Sequence, residues 1–247
     1  MKEPSDSGRT AYLGVLGLAD NEKKKQRKAA LDRSHEIRFF EIDLYWKRAN
    51  YFWLLQAAVF TAVALTIKSG KDLFFTLVPL ALSSLGFLTA WASFLAALSS
   101  KFWQRNWEHH IDVLEGEFEG NLYKTVYVSR SGSRWSLTSV NEKTILFFSM
   151  FWIVILIFTS ITANPNWHVA GHFVVPNLTE SFTVILWLST ACGAYLLTRQ
   201  KTGVSGERIS YPESMADPGQ GSDAPQLFGT RIQPYLVRRE PGIENVE

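Results

Sequence analysis

Charged side chains are missing from four stretches of this chain. Tyr51–Ile67, Phe74–Leu98, Ile145–Ala163 and Phe182–Thr198 hold no Asp, Glu, Lys, Arg or His. Proton- and ion-coupled transporters place such groups at membrane depth, so their absence argues against that class. Cysteine is almost missing too: Cys192 stands alone inside the fourth stretch, which excludes a disulfide framework within one chain. No CxxC pair, HExxH pattern, nucleophile elbow or phosphate-cradling glycine loop occurs. Met1–Asp20 lacks the continuous apolar core of a cleavable signal peptide, so the first apolar stretch is expected to act as an uncleaved signal anchor.

What is present are the four stretches themselves. At about 1.5 Å per residue each is long enough, the shortest only just, to cross a hydrocarbon layer of about 30 Å. In lipid a backbone must satisfy its own hydrogen bonds, so they read as helices. A mean hydropathy of −0.01 hides this, because apolar spans and very polar flanks average out. Tyr45, Trp46, Tyr51, Trp53, Trp103, Trp107, Trp152 and Trp187 are read as lying at or near span ends, where amphipathic rings favour the headgroup layer, though some will pack between helices.

The net charge of +2 says little, but its distribution says much. Of the 25 Lys and Arg residues, eleven precede Tyr51, six lie in 99–144 and six follow Thr198. Only two lie in 68–73 and none in 164–181. The positive-inside rule therefore predicts cytoplasmic termini, a cytoplasmic middle loop and two short outward loops.

The flanks carry their own patterns. Residues 1–20 read as a disordered N-terminus and 21–50 as a basic cytoplasmic helix leading into the first span. That basic stretch is either a solvated, topology-setting flank or a holder of anionic headgroups, with Lys47, Arg48, Lys101 and Arg105 nearest the bilayer. The second span continues without a breaker into 99–121, where Phe102, Trp103, Trp107, Ile111 and Leu114 recur at helical spacing. This amphipathic helix must bury its apolar side against 39–46, the membrane interface or a neighbouring subunit. It is expected to stop near Asn121, after Gly116 and Gly120.

Residues 123–129 and 134–138 form either a short hairpin or irregular structure, and Ser139 is a candidate cap for the third span helix, with Glu142 three residues on. The Pro- and Gly-punctuated segment 199–247 reads as a disordered cytoplasmic tail. Small residues four apart (Ala58–Ala62, Gly86–Ala90, Ser93–Ala97, Ser189–Gly193) predict close helix–helix approach, within or between subunits.

Candidate chemistry is sparse. Glu108, His109, His110, Asp112 and Glu115 share a helix, but a di-metal bundle site wants Glu-x-x-His on paired helices, and a charged outer face with one interfacial histidine explains the run better. His168 and His172 are four apart among Pro and Gly, where the helical geometry a metal needs is lost; Asn177-Leu178-Thr179 matches a glycosylation acceptor that a bacterial chain would not use. No catalytic residue, metal ligand or cofactor is expected.

The run from Lys101 to Glu115 (KFWQRNWEHHIDVLE), followed by Leu122-Tyr123-Lys124, resembles bacterial small multipass membrane proteins of the RipA type. The resemblance covers roughly residues 36–152 and implies an octameric inner-membrane protein with no catalytic residues to carry over. Taken together, the expected fold is an all-α membrane protein: four transmembrane helices (51–67, 74–98, 145–163, 182–198) with cytoplasmic amphipathic helical extensions, including the loop 99–144. The expected function is a non-enzymatic homo-oligomer in the inner membrane, the octamer being the number implied by the resemblance. Phe102, Trp103, Trp107, Ile111 and Leu114 would form its assembly or partner surface. Its partners are the lipid bilayer and itself, with no nucleic acid. The alternative is an oligomeric channel or pore-forming effector, lined by hydroxyls and by Gln56 or Ser149.

Overall fold

A computed structural model describes residues 6–67, 73–120, 122–123, 125, 136–164, 178–200, 207–210 and 235–238. The described residues form five α-helices: α1 (Asp6–Val15), α2 (Lys24–Ile67), α3 (Leu73–Leu114), α4 (Leu137–Ala163) and α5 (Leu178–Arg199). Two short antiparallel strands, β1 (Glu207–Ser210) and β2 (Tyr235–Arg238), pair Glu207 with Arg238 and Ser210 with Tyr235. Four helices, α2 to α5, are long and apolar enough to cross a membrane.

Each apolar run thus became a helix, and three grew well past their runs. α2 carries no Gly or Pro in 44 residues, so the basic flank and the first span form one unbroken helix rather than two segments meeting at residue 50. α3 runs on to Leu114, closes with a 3₁₀ turn over Glu115–Glu117, and turns at Gly120 with φ +68°. Pro79 sits one and a half turns into α3, where its missing N–H is tolerated, and Ser83 Oγ donates to its carbonyl at 2.6 Å.

Several expectations change. The N-terminus is not disordered through residue 20: α1 forms and buries Tyr12 and Leu13. The tail is not wholly irregular, since β1 and β2 pair. Ser136, not Ser139, caps α4, accepting from the Ser139 N–H at 3.3 Å; the helix starts a turn earlier than the Glu142 signal implied. Ser136 to Thr138 belong to the start of α4 rather than to a hairpin, whose remaining positions, apart from Tyr123 and Thr125, lie outside the described residues. His168, His172 and Asn177 lie outside them as well.

The chain divides into two compact units. One comprises Met1–His35, His109–Thr125 and Thr202–Glu247; the other comprises Glu36–Glu108 and Val126–Lys201. The second is a helix bundle centred on Trp152, which is wholly buried with Val59, Val63 and Ala90. Its indole fits only because residue 86 is glycine: a Cβ there would lie 2.5 Å from the ring. The expected Gly86–Ala90 approach is therefore made inside one chain. Trp152 Nε1 donates to Gln56 Oε1, while Gln56 Nε2 donates to Thr89 Oγ1 at 2.8 Å and the Gly86 carbonyl at 3.3 Å. Phe60 stacks on the same indole at 4.2 Å. α5 attaches differently, through hydroxyls and amides: Thr190 with Ser84, Thr183 with Asn164, and Trp187 with Ser160.

Candidate functional site

The first unit gathers the titratable groups that the sequence offered as chemistry. Its core is Leu13 of α1, Leu31 of α2, and Ile111 and Leu114 of α3, with Leu18 and Tyr123 packed against them. α1 ends in a Schellman motif. Gly17 adopts φ +70°, the Leu18 N–H reaches the Leu13 carbonyl at 2.8 Å, and the Gly17 N–H reaches the Gly14 carbonyl at 3.0 Å. The left-handed turn suits glycine, and it sends Leu18 back onto Leu13, the hydrophobic contact such a motif favours.

A charged network surrounds this core. Arg27, buried, grips Glu117 through two bonds of 2.8 and 2.9 Å and donates to the carbonyls of Leu18 and Asp20. Arg9 of α1 adds a third contact to Glu117 at 3.0 Å. One guanidinium therefore fixes both the acid and the turn after α1, the forked geometry that lysine cannot supply. The Arg27 hydrogen bond is the main reason the Glu117 carboxyl sits below its usual range, with the fields of Arg27, Arg9 and Lys24 adding to it. Lys28 bridges Asp32 at 3.0 Å and Glu119 at 3.1 Å. Glu115, fully buried, accepts the Tyr123 N–H at 2.8 Å and so ties down the chain after Gly120.

Tyr12 joins α1 to the two histidines. Its hydroxyl bonds His110 Nδ1, and its ring meets His109 edge-on at 5.8 Å. Burial pushes both imidazoles down, and with His109 beside it the pKa of His110 falls to about 4. The tyrosine hydroxyl can donate to or accept from Nδ1, so it is burial rather than loss of this bond that penalises the protonated ring. Among the described residues no three His, Cys, Asp or Glu side chains are placed to hold a metal ion. The arrangement is a latch that holds α1 against the histidines, at a place where burial disfavours a charged imidazole.

The five residues expected to make one assembly surface are divided between roles. Ile111 and Leu114 are buried in the first unit's own core, so they have no surface to offer a partner. Leu13 and Leu31 cover them, not the 39–46 stretch. Trp103 and Trp107 are half-buried, and Phe102 stays 51% exposed. The four cations expected at headgroups are also divided. Lys47 pairs with Asp43 at 2.6 Å, Arg48 donates to Ser100 at 3.0 Å, and Lys101 pairs with Glu142 at 3.1 Å. Arg105 is exposed, with no ion pair among the described residues. Gln56 and Ser149, the candidate pore lining, are both buried, Gln56 against Trp152 and Ser149 donating to the Ile145 carbonyl.

The α1 latch escaped sequence reading. Its available signals were Tyr12, Leu13 and Leu16 at helical spacing, followed by a glycine at the stop position.

In comparisons with known proteins, the model of the octameric membrane protein family (8xMP) matches residues 28–161, more than half of the chain. The match takes in α3, most of α2 and all but the end of α4, and leaves α1 and α5 outside. No curated protein and no solved structure matches.

Proposed function

This chain belongs to the octameric membrane protein family, and from that premise we propose that it is a non-enzymatic inner-membrane scaffold that assembles into a homo-octamer and presents a cytoplasmic surface to partners. The family match across three of the four membrane-length helices carries this reading. Two further observations support it. His109 and His110, the nearest thing to a chemical pair outside the spans, are engaged with α1 in packing the chain itself. The lysine and arginine excess before Tyr51, in 99–144 and after Thr198 supports cytoplasmic termini, with an exposed cation such as Arg105 available to anionic headgroups.

The pore reading gains nothing from Gln56 or Ser149, since both spend their hydrogen bonds inside one chain. Native mass measurement in mild detergent tests the assembly: a particle of eight 28.0 kDa chains is expected, and a strict monomer overturns it. Reporter fusions after Thr198 test the orientation: activity of a periplasm-only reporter there overturns the cytoplasmic tail.

A further inference from the structure

In the second unit, two partly open crevices adjoin between α2, α3 and α4. Tyr45, Arg48, Ser100 and Asn141 line the outer one, Trp53, Gln56, Ala90 and Phe148 the inner one, and Phe52, Ser93 and Ile145 wall both. Their depths follow from the helices. Arg48 stands three positions before Tyr51, and Ser100 two past Leu98, so both lie about 3–5 Å outside the apolar runs at 1.5 Å per residue. A headgroup layer is about 5–8 Å deep, so the outer crevice opens within it. Trp53, Gln56, Ala90 and Phe148 lie inside the runs, so the inner crevice is at the depth of acyl chains.

The outer crevice is rich in unspent donors. Arg48 is exposed and gives one of its five N–H groups to Ser100 at 3.0 Å. Ser100 accepts that bond, and Tyr45 accepts from Asn141 Nδ2 at 2.7 Å. Each hydroxyl therefore keeps a proton with no acceptor among the described residues, although both side chains are buried. No carboxylate lines this crevice, and Arg48 has no ion pair among the described residues. Beside it, Lys101 and Glu142 pair at 3.1 Å and cancel each other's charge. One positive charge and two hydroxyl protons thus await an acceptor bearing negative charge. The inner crevice offers nothing of the kind. Gln56 spends its amide on Thr89, the Gly86 carbonyl and Trp152, and the surface left open is carbon. A cationic mouth at headgroup depth above an apolar furrow at acyl depth matches the two ends of one amphiphile.

We propose that the two crevices form a site for an anionic phospholipid such as phosphatidylglycerol. Arg48, Ser100 and Tyr45 hold its phosphate, and the upper part of one acyl chain lies along Phe52, Ser93 and Ile145. A basic flank attracts anionic lipid anywhere on its surface; this furrow gives one molecule a fixed place. The site rests on the membrane placement of the chain and not on its assembly into an octamer.

The test uses the full chain in mild detergent, titrated with phosphatidylglycerol or phosphatidylcholine of matched acyl chains, with bound lipid counted by native mass measurement. Phosphatidylglycerol is expected to bind about tenfold more tightly or better. Arg48→Gln, at an exposed position, should abolish that preference. Lys47→Gln removes the same charge at nearly the same depth but outside the crevice, and should keep the preference within about twofold. Soluble glycerol phosphate should not displace the lipid. Equal binding of the two lipids overturns the site. Equal losses in the two variants overturn it in favour of diffuse surface charge, and displacement by glycerol phosphate at the lipid's own concentration overturns the acyl furrow. The same spectra report the assembly, so an octamer without lipid preference overturns this site alone, and a monomer with it overturns the octamer alone.

Discussion

The two units bury polar atoms by opposite means. In the bundle around Trp152 the buried polar side chains are neutral and bond neutral partners: Gln56 an indole, a hydroxyl and a carbonyl, Ser149 the carbonyl four residues back. In the cluster around Leu31 and Ile111 the chief polar contacts are between ionised groups, Arg27 with Glu117 and Arg9 with Glu117. Water supports the second strategy because rim charges stay partly solvated. Lipid does not, because an unmatched charge or amide there has no substitute partner. The contrast also sorts the glycines: Gly86 is needed for space, Gly17 for a backbone angle.

The two strategies should fail differently. Trp152→Ala empties the bundle centre and leaves Gln56 Oε1 without its donor. A loss of about 3–5 kcal/mol in detergent unfolding is expected, with protection of α1 in hydrogen exchange unchanged. Equal loss of protection in both units would break the comparison.

Acid should act on the other unit. His110 has a pKa of about 4 in the folded chain against 6.5 free, so the unfolded form binds more protons between those values. The latch is therefore at full strength above about pH 6.5 and weakens by up to about 1.4 kcal/mol per unit as pH falls towards about 4. The lowered Glu117 carboxyl adds to the loss at still lower pH, as it becomes protonated and lets go of Arg27 and Arg9. Proteolysis of residues 1–24 should rise through that window while the bundle resists, and an acid-insensitive N-terminus would count against the histidine.

Tyr12→Phe separates that hydrogen bond from the rest. It should weaken α1 docking by about 1–3 kcal/mol, because His110 Nδ1 loses its hydrogen-bond partner, and should leave bundle unfolding where it was. The smallest effect is expected at Lys47→Ala. Its 2.6 Å pair with Asp43 is exposed on both sides, and such pairs contribute under about 0.5 kcal/mol.

The bundle was far more legible in the sequence than the cluster. A run of apolar residues long enough for a membrane has one regular solution, so each of the four runs fell inside a membrane-length helix, and the continuation of α3 followed from its unbroken period. That Ile111 and Leu114 would be buried was also readable. What covers them was not, because Leu13 and Leu31 sit in segments whose composition is polar on average, and α1 is short, with a glycine at position 14. Helices so short are decided by docking rather than propensity. The cap moved from Ser139 to Ser136 for a related reason: two serines three apart offer the same signal, and only the helix start chooses. The Gln56–Trp152 pair, nearly a hundred residues apart, left no local trace.

That pair also bears on how the protein is made. Ribosomes deliver α2 and α3 before α4, so a nascent chain reaches a stage at which both are complete and Trp152 is not yet joined. At that stage the oxygen of Gln56 has no indole to bond, and the notch over Gly86 stands open. A truncated chain ending before α4 is thus marked, inside its apolar interior, by an unfilled slot and an unanswered amide. The finished chain has neither, because Trp152 fills the slot over Gly86 and bonds the Gln56 oxygen.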